Sequence, residues 1–333
     1  MRFNLGGKRI LGAASILLAA MLVAEGSEFN PPTVLLGPTE LQDTFLPSQL
    51  RYQSYPESAE VIAPGQWLAN VTVDWTAHLA QTDTYLFDGE SVTSTLKVRH
   101  SPMKRLELGV DIPYTVRVNG TADRFIEFVE TTLDAKVDAR FALPRDTYQA
   151  TLASPDGTGM VLKKGSDLSD ITLRLKYQLA GREEACVDLA AVATLSLPTG
   201  GSTFGGDGIS PGLGLHVQKP VGKWNFFLGL AGNYYSDDLE QNFEFNDFRG
   251  MTYAGLSWRL FKRVAAVGEY QIYSPFAPRN SPLDEIAHYY SITGRFFITE
   301  KITFEAGIVE NVGTIENRNS SDVTFKFALA GLF

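Results

Sequence analysis

Apolar and polar residues alternate with a period of two over most of the chain. In residues 323–333, Val323, Phe325, Phe327, Leu329, Gly331 and Phe333 share one parity, while Thr324 and Lys326 take the other. A second clean run sets Trp67, Ala69, Val71, Val73, Trp75 and Ala77 against Asn70, Thr72, Asp74, Thr76 and His78. Period two marks a strand with one apolar face. The same pattern predicts strands over 67–78, 92–99, 106–118, 170–179, 185–197, 209–218, 224–235, 251–261, 264–274, 286–297, 302–310 and 323–333, about twelve in all. An even number suits a single-chain barrel whose two ends lie on the same side.

Alternation alone also fits a soluble sandwich. The connections separate the two architectures. Residues 101–105, 180–184, 219–223, 262–263 and 298–301 are short links, whereas 119–169, 198–208, 236–250, 275–285 and 311–322 are long. Only the first long-end connection, near 79–83, is brief. Short turns at one end and long loops at the other describe the two rims of a membrane barrel, and a sandwich has no reason to sort them. No run of 18 apolar residues follows the N-terminus, so helical spans are excluded. A content of 44% hydrophobic residues still suffices, because only every second residue meets lipid. The expected fold is all-β: a transmembrane antiparallel β-barrel of about 12 strands with short periplasmic turns and long extracellular loops.

On the apolar parity, Trp67, Tyr177, Trp224, Trp258, Phe296, Phe304 and Phe333 fall towards the short-turn end. Trp75, Tyr114, Tyr270, Tyr290 and Phe325 fall towards the long-loop end. These are two aromatic girdles. On the polar parity, successive strands carry Lys97 and Arg99, Glu107, Arg174 and Lys176, then Asp188; after two neutral strands come Arg259, Glu269, Arg295 and Glu305. Opposite charges across a strand pair stabilise register. The same ring in a lumen acts as a constriction that selects polar solutes.

The N-terminus changes the picture twice. Residues 1–26 read as a secretory signal, with Arg2, Lys8 and Arg9 ahead of an apolar run and a small-residue exit. Residues 27–66 are Pro-rich and aperiodic, either a loosely ordered periplasmic leader or a plug tucked into the barrel mouth. The single cysteine, Cys186, is expected as a small buried wall residue. In the longest loop, Phe125, Phe128, Val129 and Leu133 predict a short amphipathic helix over 123–135, and a second hairpin is expected between 141 and 161.

Candidate chemistry adds little. A net charge of -9 argues against nucleic acid as a partner. The four histidines, His78, His100, His216 and His288, form no evident triad with a serine. The acidic loop 236–250 lacks the ligand spacing of a calcium site. No phosphate loop, metal cluster or dinucleotide fingerprint occurs, so neither a metal nor a cofactor is expected.

Two resemblances complete the reading. Phe325, Phe327, Leu329 and a final Phe333 resemble the C-terminal signal by which Gram-negative outer-membrane barrels are recognised for insertion. Ser169-Asp170-Ile171-Thr172-Leu173-Arg174-Leu175-Lys176-Tyr177, followed by Leu195-Ser196-Leu197-Pro198-Thr199-Gly200, resembles a proteobacterial outer-membrane barrel family known only as a domain of unknown function, similar to the phenol meta-pathway barrels. Where such barrels often carry Gly before the aspartate, this chain has Ser169. The resemblance implies an outer-membrane location and uptake of a small solute, and supplies no catalytic residues to carry over; outer-membrane lipids, lipopolysaccharide and the barrel-assembly machinery are the expected partners. The expectation is therefore a narrow channel or porin. A non-conducting structural barrel and a lipid-modifying barrel enzyme are the alternatives.

Overall fold

The computed structural model describes residues 29–81, 85–121, 123–132, 144–153, 159–201, 203–236, 239–240, 243–279, 283–311 and 321–333. Twelve antiparallel strands form the wall among these residues: β1 (Trp67–Gln81), β2 (Tyr85–Met103), β3 (Leu106–Val118), β4 (Thr172–Ala180), β5 (Asp188–Ser196), β6 (Ser210–Val221), β7 (Trp224–Tyr234), β8 (Phe248–Phe261), β9 (Val264–Tyr273), β10 (Ala287–Phe297), β11 (Ile302–Asn311) and β12 (Val323–Leu332). Each pairs with its sequence neighbours. β1 also pairs with β12, placing Trp75 opposite Phe325 and Asp74 opposite Lys326, and this pairing closes the ring. Closure leaves no edge strand, which is what lets a sheet sit in hydrocarbon.

Burial alternates along much of the wall as the sequence pattern requires, for example from Thr172 to Tyr177 on β4, and the alternation is lost where loops cover the upper wall, as from Phe87 to Ser91 on β2. The exposed apolar residues face outward and the buried ones, mostly polar, face the lumen. At the long-loop end the wall rises higher than the alternation predicts. β2 begins at Tyr85 rather than 92: β1 runs on to Gln81 and pairs with it as far as Leu86, and on its other side the short strand Gln149–Ala153, itself paired with Gly159–Val161, pairs with Tyr85–Asp88. Another short strand, Gly165–Leu168, pairs with the upper half of β3.

Two expectations need correcting. Cys186 is exposed, not buried in the wall. The strand starts at Asp188; Arg182–Ala185 form one helical turn, and Cys186 ends it in the left-handed conformation with φ 60°. The loop helix, α1 (Asp123–Thr132), forms as expected but does not dock on the wall through Phe128 of its apolar spacing. Phe128 is exposed, and the buried side chains are Asp123, Ile126 and Glu127. Leu133 and the side chains of Phe125 and Val129 lie outside the described residues. Ile126 packs on Ala77 and Val323, beside Trp75 and Phe325, on the outward face of the barrel. There Glu90, on the outward parity of β2, accepts hydrogen bonds from Trp75 Nε1 and Thr121 Oγ1, each at 2.7 Å. The helix and its flanking loop thus cover a carboxylate that would otherwise face hydrocarbon, where an uncovered charge is costly.

Candidate functional site

A twelve-stranded wall tilted by ~40° has a backbone radius of ~12 Å. After wall side chains are subtracted, the space admits two extended chains side by side. Residues 29–66 fill it. The segment enters at the short-turn end, where Asn30 N–H donates to Glu300 and Leu35 and Leu36 pack with Phe297 and Ala265. It climbs the lumen and turns over at residues 45–51 beneath the long loops. It then descends, and Gly65 N–H donates to the Ser101 carbonyl at the mouth of β1. At the turn Phe45, Leu46 and Leu50 join Phe87, Phe245, Phe276 and Leu283 in an apolar cap.

Below the cap the segment meets the wall through charge. Lys97 Nζ lies 3.2 Å from Glu40, and Arg249 lies 2.6 Å from Asp43. Arg174 pairs with Glu57, and Arg182, on the turn between β4 and β5, lies 3.2 Å from Glu60. Arg182 also donates to Thr33 Oγ1, so it touches both legs of the segment at the short-turn end. Burial, with the Asp188 carboxylate adding to it, pushes the Glu60 carboxyl above its usual range, against the pull of Thr33 and Arg182. Neutral contacts fill the gaps: Tyr55 O–H donates to Asp111, Ser54 N–H to Asn233 Oδ1, and Ser58 O–H to Gln218 Oε1.

Of the charges expected in a belt, Lys97, Arg99, Glu107, Arg174, Lys176, Asp188, Glu269, Arg295 and Glu305 are buried on the inner face. Arg259 shares their parity, half-buried near Asn30. Cross-wall pairs form between Lys176 and Glu107 at 2.8 Å and between Arg295 and Glu305. Arg259 and Glu269 are not brought together; Glu269 instead accepts from Thr39 N–H and Thr39 O–H. Asp188 binds Arg182 at 2.9 Å.

Five further inward charges lie outside the expected belt. Asp111 accepts Arg99 at 2.6 Å, Lys326 lies 3.4 Å from Asp74, Arg117 stacks on Phe204, and Arg249 holds Asp43. Asp111, Arg117, Asp74 and Lys326 lie on inward parities already visible in the sequence. Arg249 is hidden in what reads as a loop. The acids of residues 29–66 carry no periodic signal at all.

The girdle residues Trp67, Tyr114, Tyr177, Trp224, Trp258, Tyr270, Tyr290 and Phe304 are exposed on the outer face, with Trp75 and Phe296 half-buried there. Trp224 stacks on Trp258 at 4.8 Å, and Tyr270 is opposite Tyr290 in register. On β12, Phe327 and Leu329 are exposed and Phe325 lies against Trp75; Phe333, just past its end, is exposed too.

Between the segment and β1–β4 lies a cavity of ≈ 60 Å³, bordered by Gln49, Asp74, Thr95, Asp111 and Thr172. That is room for about two waters. The buried Thr172 Oγ1 and Gln49 Oε1, which border it, have no hydrogen-bond partner among the described residues. Of the histidines, His78 Nε2 is 2.8 Å from Ser91 Oγ across the β1–β2 pair, but Nδ1 has no partner among the described residues to orient the ring. His216 Nδ1 bonds Tyr253 O–H, His100 stacks on Trp67, and His288 Nδ1 bonds Tyr270 O–H. No group of three potential metal ligands occurs among the described residues.

Fold and lumen together define the class: a transmembrane β-barrel whose polar bore is occupied by its own N-terminal segment. Residues 23–332 match the family described as "Protein of unknown function (DUF3187)", and the chain belongs to that family. It is similar to the COG4313 outer membrane channel from Pseudomonas putida F1, with a TM-score of 0.57 and 15% identity, covering 84% of this chain and 100% of that one. The NanC porin gives a TM-score of 0.46 and 8% identity, covering 79% of this chain and 98% of the porin. The P. putida toluene transporter TodX gives 0.36 and 10%, covering 91% and 97%. No curated protein matches the chain. At these identities the likeness is one of fold.

Proposed function

We propose that the protein is an outer-membrane channel for small solutes, and that residues 29–66 are its gate. The observation that carries this reading is the nature of the contact between segment and wall. Between the apolar clusters it is built from ion pairs and hydrogen bonds, with a cavity beside it bordered by the Thr172 hydroxyl and the Gln49 amide oxygen, neither of which has a partner among the described residues. Small barrels that only need filling use wall side chains; here the ring is complete without the segment, and polar contacts exchange for water at small net cost. The outer surface, with two aromatic rows and an apolar band, is suited to lipid and lipopolysaccharide. The apolar run of residues 10–24 is suited to export, and the β12 aromatics to the barrel-assembly machinery.

The test ties the segment to the wall. Ser54 N–H reaches Asn233 on β7, so Ser54→Cys with Asn233→Cys, in a Cys186→Ser background, places two thiols across the contact. In planar bilayers the oxidised protein is expected to be silent, and the reduced protein to show discrete openings. Folded, reduced protein that passes no current overturns the reading in favour of a structural barrel.

A further inference from the structure

The lumen is asymmetric in two respects. The first is charge. Among the described strand residues, nine basic side chains face inward against six acidic ones, while residues 29–66 carry four carboxylates against the single Arg51. Most wall carboxylates are met by basic residues of the wall and its turns: Asp74 by Lys326, Glu107 by Lys176, Asp111 by Arg99, Asp188 by Arg182 and Glu305 by Arg295. The carboxylates that Lys97 and Arg249 meet belong to the segment, and Arg174 divides itself between Asp111 and Glu57. These cations run from the long-loop end at Arg249 to the middle of the barrel at Lys97 and Arg174. With the segment withdrawn they face the bore, and rings of basic side chains select anions.

The second asymmetry is apolar. Phe227, Met251, Tyr253, Val267, Tyr273 and Tyr289, on β7 to β10, form one continuous inner cluster with Leu41 of the segment. The adjacent residue, Glu40, reaches the other way, to Lys97 on β2. Neighbouring residues of the gate thus present a carboxylate to the basic side chains of β2 to β4 and an aliphatic group to the aromatic cluster of β7 to β10, which Arg249 adjoins over the Tyr273 ring. A ligand built by the chain itself displays what the bore is shaped to accept.

We infer that the solute is a small organic anion with an apolar body, and that Glu40 and Leu41 hold the places its carboxylate and its body take in transit. This rests on the channel reading above. The test uses the full-length protein in planar bilayers, with benzoate as the probe, and benzyl alcohol and tetraethylammonium as the neutral and cationic controls. Reversal potentials across a KCl gradient are expected to give chloride at least threefold over potassium. Millimolar benzoate is expected to raise open probability about fivefold or more by competing with the segment, and neither control to do so. Lys97→Gln and, separately, Arg249→Gln each remove one cation, and each is expected to weaken the benzoate response several-fold. A permeability ratio at or below one, or benzyl alcohol acting as well as benzoate, overturns the inference and leaves the channel standing. Folded protein that never opens overturns both.

Discussion

Asp43 is tied by four polar contacts, and its replacement tests whether charge holds the segment in place. Its Oδ2 faces Arg249 at 2.6 Å and accepts from Ser48 O–H at 2.7 Å. Its Oδ1 accepts from Tyr289 O–H at 2.6 Å and from Phe45 N–H at 2.9 Å. Asp43→Asn keeps the shape and the Oδ1 bonds but withdraws the charge and the Oδ2 acceptor. Removing one member of a buried pair costs ~3–5 kcal/mol. The lower figure applies here, because Arg249 keeps Ser48 Oγ, the Ser274 carbonyl and the rings of Tyr273 and Phe276. At ~1.4 kcal/mol per tenfold, a cost of ~3 kcal/mol raises the unseated fraction about a hundredfold. The assay is single-channel open probability together with protease nicking within residues 29–66, both rising. The thermal transition of the barrel in detergent stays put, since no wall hydrogen bond is touched. A change under threefold in correctly folded protein refutes the reasoning, and the double variant Asp43→Asn with Arg249→Met shows whether the two residues are coupled.

Three further outcomes are expected. Lys326→Met strands Asp74 at the β1–β12 seam, but the cavity beside Asp74 lets water in; the barrel should lose about 1–2 kcal/mol, read as a lower unfolding temperature in detergent. Ile126→Asp should free α1 from Ala77 and Val323 and speed proteolysis between 119 and 147, with conductance unchanged; resistance equal to the parent's would show that the contact does not hold the helix. Glu60 titrates above its usual range, so the stability it adds is complete below the ordinary carboxylate value and is lost as pH rises through the raised one. Nicking of residues 29–66 should therefore be slower at pH 5 than at pH 7, and Glu60→Gln should reduce that difference.

The wall was legible because lipid on one side and water or polar chain on the other impose a period of two that few other forces disturb. The ends were less so. β2 grows seven residues beyond its alternating core because β1 extends alongside it and a strand from a distant loop supplies partners on the other side, and residues 182–185 close a helical turn where the pattern runs on into strand through Cys186. For α1, the apolar spacing of Phe125 and Phe128 suggested one face. The helix docks through Ile126 because Asp123 and Glu127 on the same side find partners of their own, Asp146 N–H and Arg145. The gate was the least legible part. Its conformation is fixed by the wall around it, residue by residue, and not by any local repeat, so Glu40, Asp43, Glu57 and Glu60 look in sequence like scattered surface acids.

The two zones of the gate divide the work of opening. Along its legs, Leu35, Leu36 and Leu41 apart, the segment trades ion pairs and hydrogen bonds that water and a charged solute can replace, so those contacts set which solute competes and, while both partners are present, add less to the barrier than the cap does; the ~3 kcal/mol of Asp43→Asn is the cost of leaving Arg249 without its partner. At the turn, Phe45, Leu46 and Leu50 are buried against Phe87, Phe245, Phe276 and Leu283, and nothing polar offsets their exposure. Uncovering three large apolar side chains costs several kcal/mol at ~1.5–3 kcal/mol each. The legs can therefore hydrate and loosen from the short-turn end while the cap still holds. Passage through the whole bore requires the cap to part from the loops. Selectivity belongs to the middle of the barrel and the barrier to its outer mouth, so variants of Lys97 or Arg174 should change which ions pass, and variants of Phe45 or Leu50 how often any do.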